Sequence, residues 1–375
     1  MSLTWSRAGF AGAALLVMAG FARSFEEMAH LASPPIKLAA SVAAALLAVA
    51  SFWPWAAIPS GLTGVTILCI VTLALVGDPA IAAAADSGFW PLVLGTWLAA
   101  ALVVTRLAAM RPRSNALRRS ADLAVPLLFG AFVFYLWEVA VRGFGVPAVL
   151  MPAPSAMAVR FVASLPVLGE DFVQTFVRGV LSGYAIGACA GFLVAIVAHR
   201  YEFLGKGLLP LGNFVSALPI VGIAPIMVMW FGFDWPSKTA VVAVITFFPM
   251  LVNTLAGLAA AGAIERDLMR SYGAHPAQTL VKLHLPAALP FIFNALKINS
   301  TLALIGAIVA EFFGTPTLGI GFRISTEVGR MALDMVWAEI ALSAIAGMAF
   351  YGIVAFAERA TTFWHPSYRA SPGSW

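Results

Sequence analysis

Ionisable side chains inside apolar runs are the first residues of this sequence that can do chemistry. Glu138, Arg178, Glu311 and Glu339 each stand near one end of such a run. In hydrocarbon a charged side chain costs about 3 kcal/mol or more unless it is paired or hydrated. These four residues are therefore candidates for a ring around an outer gate. Two structural interpretations stay open beside it: snorkelling to the membrane interface, or pairing, for example of Arg178 with Glu311.

Lys297 lies deeper than these four, about two turns into its apolar run. It falls on nearly the same helical face as Glu311, and Asn294, Asn299 and Ser300 are close by in sequence. This polar stripe is the best pathway candidate in the sequence. A lysine near a helix end can instead snorkel or meet a lipid phosphate, so that interpretation also stays open.

Pro219 and Pro225 fall within one apolar run, residues 208–231. Proline removes a backbone hydrogen bond, and the carbonyl it frees is tolerated at membrane depth only where it faces protein or a water-filled cavity. A helix broken at these prolines suits a moving pathway. A static kink packed against neighbouring helices is the alternative.

Enzyme motifs are absent from the sequence. It has no G-x-x-x-x-G-K-[ST] loop, because Gly205-Lys206-Gly207 lacks both the spacing and the hydroxyl residue, and it has no G-x-S-x-G or H-E-x-x-H. His275 and His284 lack further metal ligands at suitable spacing and are expected to face solvent or a partner. Cys69 and Cys189 lie in apolar runs, so no disulfide is expected. We expect a chain that is not an enzyme and binds no cofactor itself.

The composition indicates a membrane protein. Of 375 residues, 61% are hydrophobic and 10% are charged, whereas about a quarter of the residues of soluble domains are charged. The formal net charge of +5 is explained by basic loops that set membrane orientation. Membrane lipid is therefore an expected partner and nucleic acid is not. The predicted fold class is an all-α polytopic membrane protein.

About ten transmembrane helices are predicted, because a bilayer core of roughly 30 Å needs about 20 apolar residues per helix. The first candidate also resembles a signal peptide, since Arg7 precedes it and Ala22-Arg23-Ser24 follows it. An uncleaved helix is favoured, because later spans can insert the chain. The candidates are residues 8–22, 36–58, 61–77, 89–110, 123–146, 172–197, 208–231, 239–261, 291–312 and 335–360.

Five arginines between Arg106 and Arg119 form the densest basic cluster. The positive-inside rule makes this linker cytoplasmic, and alternation of the spans then places both termini and residues 263–290 in the cytoplasm. The predicted organisation is an accessory four-helix region over residues 1–110, a basic linker over 111–122, a six-span domain over 123–365 and a cytoplasmic tail over 366–375. No internal repeat is visible, so one chain is expected to supply half of a pathway.

Residues 263–290 form the longest polar interruption in the second half of the chain. Residues 265–272 predict a short helix, with Glu265 and Asp267 in its first turn and Arg270 near its end, as the helix dipole favours. Gly273 is predicted to stop this helix. A second short helix is predicted over residues 276–284, broken by Leu285-Pro286. Such a helix-turn-helix has no pocket or catalytic set of its own, so we expect it to fit a groove on another protein.

This polar stretch resembles the cytoplasmic coupling loop of binding-protein-dependent ABC importer permeases. The pattern of that loop is Glu-Ala-Ala, three residues, Gly, nine residues, Ile, one residue, Leu-Pro. Gly273, Leu283 and Leu285-Pro286 meet its later part, while residues 267–269, Asp-Leu-Met, stand at Glu-Ala-Ala. The resemblance implies that the ATPase-coupling residues are Glu265, Asp267, Arg270, Gly273, Ala274, Leu283, Leu285 and Pro286.

The resemblance extends over about residues 125–365 and not over the first 110. Its landmarks look like those of the nitrate, sulfonate, taurine and bicarbonate branch, near the permeases for riboflavin and thiamine-pyrimidine precursors. The last six helices would then form a type I ABC importer permease core. The landmarks are residues 149–155, 174–178, 218–225, 230–233, 310–314 and 319–321.

The resemblance also implies the partners and the location of the chain. It implies a permease subunit in the bacterial inner membrane that works as a homodimer or with a paired permease. ATP and Mg would be bound by ABC ATPase subunits, and a periplasmic or lipid-anchored binding protein would deliver a small organic or oxyanion nutrient. Candidate pathway or gate residues are Glu138, Arg178, Pro219, Pro225, Lys297, Asn299 and Glu311.

Two other functions stay open at this point. An ion- or proton-coupled secondary transporter would use Glu138, Lys297 and Glu311 as its coupling charges, although no inverted repeat is visible. A membrane scaffold or assembly subunit would be favoured if the polar stripe faced lipid.

Overall fold

The computed structural model describes residues 12, 39, 41–47, 57–77, 89–109, 114–216, 218–314 and 318–364. Its regular secondary structure over these residues is helical, and they contain no strand. A long apolar segment at membrane depth must satisfy its backbone hydrogen bonds internally, which a helix does. The expectation of an all-α chain is confirmed.

Fourteen α-helices are numbered here in chain order. Two π-helical segments, Val173–Leu181 and Leu280–His284, join α5 to α6 and α11 to α12. The bounds are α1 Ala57–Gly77, α2 Phe89–Ala109, α3 Asn115–Gly143, α4 Pro154–Ala163, α5 Leu165–Phe172, α6 Ser182–Arg200, α7 Glu202–Ser216, α8 Ile220–Phe231, α9 Trp235–Ala259, α10 Ala263–Ser271, α11 Pro276–Thr279, α12 Leu285–Glu311, α13 Ile320–Gly329 and α14 Leu333–Thr361.

Seven helices in the described part of the chain are long and apolar enough to cross a membrane. They correspond to seven of the ten expected spans. The expected span over residues 8–22, and nearly all of that over 36–58, lie outside the described residues. The number ten therefore stays a prediction. The seven are Ile58–Gly77, Phe89–Ala109, Arg118–Gly143, Leu165–Arg200, Trp235–Ala259, Pro276–Glu311 and Leu333–Thr361.

The one remaining expected span, residues 208–231, is instead two helices, α7 and α8. Pro219 precedes α8 in an extended conformation, with ψ of 126°. Proline has no N–H to donate, and the residue before it disfavours helical dihedrals, so the helix stops there. Pro225 lies inside α8 without ending it. The break predicted from these prolines therefore occurs at the first of them.

The chain divides into two compact units, Met1–Ala158 and Val159–Trp375. The first has a core in which α1, α2 and α3 bury Leu68, Leu92 and Val139 against one another. In the second, α9 packs along both α6 and α12. The predicted linker over residues 111–122 overlaps the start of α3, which begins at Asn115.

Glycines bring α6 and α9 close together. Gly183, Gly187 and Gly191 recur every four residues along one face of α6, the spacing that lets helix backbones approach in a membrane. A Cβ at Gly183 would stand 2.7 Å from the backbone oxygen of Thr239, and one at Gly191 would meet the backbone oxygen of Phe247. This face therefore admits no side chain.

Candidate functional site

The first helix of the polar stretch, α10, is exposed along its length. It runs over Ala263–Ser271 and has no buried residue. Ile264, Leu268 and Tyr272 are 83%, 54% and 82% exposed, and their spacing of four residues puts them on one face. Apolar side chains that the chain itself leaves uncovered at regular spacing are typical of a surface that a partner covers.

Gly273 ends this helix as the sequence predicts. Its φ is +66°, in the left-handed region that favours glycine. The N–H of Gly273 donates to the carbonyl of Arg270 at 2.9 Å, and the N–H of Ala274 donates to that of Met269 at 3.0 Å. These two bonds form a Schellman motif, which fixes the direction in which the chain leaves the helix.

The second helix begins at Pro276, also as predicted, with His275 as its N-cap. The Nδ1 atom of His275 accepts from the N–H of Ala277 at 3.3 Å, and the Oε1 atom of Gln278 accepts from the N–H of His275 at 3.0 Å. His275 thus belongs to a capping box that satisfies the first turn.

The predicted break at Leu285-Pro286 is wrong. The helix runs without interruption from Pro276 to Glu311, 36 residues. Directly before Pro286 the chain is π-helical, and the N–H of Leu285 bonds to the carbonyl of Leu280. We attribute the continuity to this wider turn, because it shifts the hydrogen-bond register just where proline supplies no donor. Leu283, Leu285 and Pro286 therefore lie on one helix that leads from the polar loop into the membrane.

The expectation that His284 faces solvent or a partner holds only in part, because the side chain is half-buried and its own chain engages the ring. Its Nδ1 atom lies 2.8 Å from the backbone oxygen of Leu258, so it donates to that carbonyl at the end of α9. Its ring packs edge-on against His199, with centroids 4.6 Å apart. His284 thus ties three helices together. Over the part of the chain that the structure describes, no group of three metal-ligating residues occurs.

Lys297 and Asn299, the expected pathway stripe, are engaged in packing contacts. The Nζ atom of Lys297 lies 2.7 Å from the Oε2 atom of Glu358 on α14, and both side chains are mostly buried. Asn299 is fully buried, and its Nδ2 atom donates to the backbone oxygen of Thr246 at 2.8 Å. These contacts join α12 to α14 and to α9.

Glu311 accepts hydrogen bonds from two distant parts of the second unit. The hydroxyl of Thr175 donates to its Oε1 atom at 2.8 Å, and the N–H of Gly321 donates to its Oε2 atom at 2.7 Å. The Thr175 oxygen in turn accepts from the N–H of Ile320 at 2.8 Å. The landmark segments 174–178, 310–314 and 319–321 thus meet at one buried cluster.

Asp171 and Arg323 complete this cluster, and the sequence analysis missed both. Asp171 is fully buried; its Oδ1 atom accepts from the N–H of Gly319 at 2.6 Å and its Oδ2 atom from the Nε of Arg323 at 2.8 Å. The hydrogen bond that Arg323 donates to the Asp171 carboxylate raises the pKa of the Arg323 guanidinium. Gly319-Ile320-Gly321 was the part of the sequence that could have indicated these residues, because the backbone N–H groups of a glycine-rich turn need hydrogen-bond acceptors.

Arg178 does not pair with Glu311. Its Nη1 atom donates to the Oε1 atom of Gln174 at 3.1 Å. Its exposed side chain lines a cavity of about 440 Å³, which Glu170 and Leu318 also line. It lies on the π-helical segment, a form that often marks functional sites. Glu311 and Glu339 are buried. Of the expected charged gate residues in the second unit, Arg178 is therefore the exposed one.

Glu138 belongs to the first unit, where its carboxylate has an ion-pair partner and hydrogen-bond donors. It pairs with Arg142 one turn along α3. The N–H and hydroxyl of Ser155 donate to its two carboxylate oxygens at 2.8 and 2.7 Å. This network ties the segment before α4 to the end of α3.

Comparisons with known proteins agree on one family. A family model described as binding-protein-dependent transport system inner membrane component matches residues 187–367. The chain is 30% identical over 236 residues to the formylaminopyrimidine transport permease protein ThiX of Halalkalibacterium halodurans, a match that covers 62% of this chain and 92% of that protein.

Two further relatives carry transport names. The riboflavin transport system permease protein RibX of Chloroflexus aurantiacus is 29% identical over 275 residues, which cover 71% of this chain and 98% of that protein. The taurine transport system permease protein TauC of Escherichia coli is 29% identical over 187 residues, which cover 50% of this chain and 64% of that protein.

Proposed function

The chain belongs to the family of binding-protein-dependent transport system inner membrane components, the permease subunits of ABC importers, and we propose that residues 263–290 carry the movement of an ATPase partner into its spans. Membership makes it a multi-pass membrane protein and a transport component that works with ATPase and substrate-binding partners. ATP and Mg are bound by the ATPase subunits in this proposal, and none by this chain.

The observation that carries the proposal is the structure of the polar loop, residues 263–290. The exposed face of α10, Ile264, Leu268 and Tyr272, is available to a groove on the ATPase. Beyond the Gly273 turn, the helix that begins at Pro276 continues to Glu311. A continuous helix resists bending, so a displacement of the loop reaches the buried cluster at Glu311.

The proposed cycle follows from this linkage. The permease works as a homodimer or with a paired permease, and ATP binding draws the two loops together and opens the pathway outward. ATP hydrolysis returns the permease to its starting state. The Glu311 cluster lies at the far end of the same helix and holds the Gly319–Gly321 turn, so it is well placed to move with the pathway.

The proposed substrate is a small organic or oxyanion nutrient of the sulfonate, nitrate or vitamin-precursor type, delivered by a periplasmic or lipid-anchored binding protein. The relatives are named for formylaminopyrimidine, riboflavin and taurine. Arg178 favours a substrate that carries an anionic group, because its side chain is exposed at a cavity and forms no ion pair with a carboxylate of the described residues. In this proposal the chain lies in the bacterial inner membrane, with both termini and residues 263–290 in the cytoplasm.

Gly273→Val tests the coupling role. Valine at φ of +66° is strained by about 1–2 kcal/mol, so we expect the Schellman turn to reorganise and α10 to dock poorly. Gly207→Val is the matched control, because a Cβ at Gly207 meets nothing within 4 Å. The measurement is co-purification of the ATPase subunit from mild detergent, with substrate-stimulated ATPase activity and uptake assayed in reconstituted vesicles.

The expected result is a loss of stimulated ATPase activity and of uptake in Gly273→Val, with an unchanged monodisperse permease, and normal values in Gly207→Val. Equal activity in both variants would contradict the docking role. A chain that transports without ATP would favour the coupled secondary transporter, which the saturated contacts of Glu311 and Lys297 argue against.

A further inference from the structure

A cavity of about 770 Å³ in the second unit lies between α10, the turn at His275 and the end of α6. Arginine and histidine side chains dominate its polar lining, and none of the described residues that line it is acidic. Its arginine and histidine lining residues are His199, Arg200, Arg266, Arg270, His275 and His284.

The two faces of α10 differ in character. Arg266 and Arg270 are four residues apart and both line the cavity, whereas Ile264, Leu268 and Tyr272 lie on the opposite side of the helix. The apolar face is the one proposed to meet the ATPase. The basic face therefore remains directed at the cavity when that partner is bound.

The positive charge in this cavity is largely uncompensated. Arg270 has one ion pair, with Asp267 at 3.9 Å, and both side chains are exposed; such a pair is worth little. Arg200 and Arg266 form no ion pair among the described residues. Guanidinium groups gathered without carboxylates attract an oxyanion, which they bind through charge-assisted, often bidentate hydrogen bonds.

We propose that this cavity binds a phosphate-type oxyanion, held chiefly by Arg200 and Arg266, and that the bound anion fixes α10 against the end of α6. The shared chemistry is a phosphate group, which is supplied by an anionic phospholipid headgroup or by free phosphate in the cytoplasm. The position favours neither source: Arg200 is the last residue of a membrane-spanning helix and Tyr201 follows it, and the cavity volume suits a free anion as well. This site is distinct from the pathway; only the orientation of α10 in the assembled importer rests on the proposed function, and the Gly273→Val experiment tests that function separately.

The test uses the whole importer complex and two probes. The complex is placed in nanodiscs of phosphatidylcholine alone and titrated with inorganic phosphate at constant ionic strength, with the melting temperature as readout. In parallel, the complex is reconstituted with phosphatidylglycerol, washed with neutral detergent, and examined by native mass spectrometry for retained phosphatidylglycerol.

The variants are Arg200→Gln with Arg266→Gln, and the matched control Arg359→Gln, an exposed arginine at the end of α14 that does not line the cavity. A further variant, Arg200→Lys with Arg266→Lys, keeps the positive charge and shows whether a loss of binding comes from misfolding. We expect phosphate affinity or phosphatidylglycerol retention to fall about tenfold or more in the double Gln variant, to be partly kept in the Lys variant and unchanged in Arg359→Gln.

The two measurements distinguish the two sources of the phosphate group. A saturable phosphate shift indicates a free anion, and retained phosphatidylglycerol without that shift indicates a lipid headgroup. Equal behaviour of the double Gln variant and the control, or no response to either probe in the unmodified complex, would overturn the proposal.

Discussion

Lys297 shows how a charge within a span is accommodated. The ammonium group meets the carboxylate of Glu358 at 2.7 Å, and the side chains are 20% and 9% exposed. Both partners are largely desolvated, so the pair is stable only while both members are present. Removing one partner leaves an uncompensated charge, whereas replacing both by apolar groups of similar size is often neutral.

We therefore expect Lys297→Met to destabilise the permease by about 3 kcal/mol, and Lys297→Met with Glu358→Leu to restore most of this. The measurement is the fraction of monodisperse protein after heating in detergent, together with uptake. If Lys297 instead carries substrate or a coupling ion, the double variant will be stable and inactive. If it only packs α12 against α14, the double variant will keep its uptake.

At the level of single residues, the sequence predicts those features, such as helix ends, that depend only on neighbouring residues. Gly273 predicts the end of a helix because the left-handed turn favours glycine, and Pro276 predicts the start of one. The partners of Glu311 were not predictable in this way. Thr175 lies 136 positions away in the chain, and nothing local to either residue indicates the other.

Among the helices, the close packing of α6 on α9 determines how tightly the second unit holds together. A Cβ at Gly187 would meet the side chain of Thr246 and the backbone oxygen of Ala243. Backbone atoms cannot rotate away as a flexible side chain can. Larger residues at this position must therefore push the two helices apart.

Gly187→Val is expected to destabilise the permease by about 1–3 kcal/mol or more. Gly130→Val on α3 is the control, because a Cβ there meets nothing within 4 Å. Thermal inactivation of the two variants in the same detergent is the measurement. A Gly187→Val protein as heat-resistant as the control would show that α6 and α9 do not pack this closely.

The helices themselves were predictable to different degrees. Seven spans follow from hydropathy alone, because each needs only a run of apolar residues. Pro219 and Pro286 have the same local chemistry and opposite outcomes. Helix α8 begins after Pro219, whereas a π-helical turn carries the helix past Pro286. Which of these a proline does depends on the hydrogen-bond register of the preceding turn, and residue type does not reveal that register.

For the whole molecule, orientation in the membrane is the property on which the proposed function rests. The basic linker and the alternation of spans predict that residues 263–290 are cytoplasmic and that the segment between α3 and α4 is on the outer side. Leu150 and Tyr272 are exposed residues in these two places, 71% and 82% respectively. Each is therefore a suitable position for a labelling site.

We expect a membrane-impermeant maleimide to label Leu150→Cys in intact cells, and to label Tyr272→Cys only after the membrane is opened. The two native cysteines, Cys69 and Cys189, are first replaced by alanine, and the cysteine-free chain must still support uptake. Labelling of Tyr272→Cys in intact cells would place the coupling loop on the outer side. An ATPase in the cytoplasm could then not reach α10, and the coupling role would fail even though the family assignment would stand.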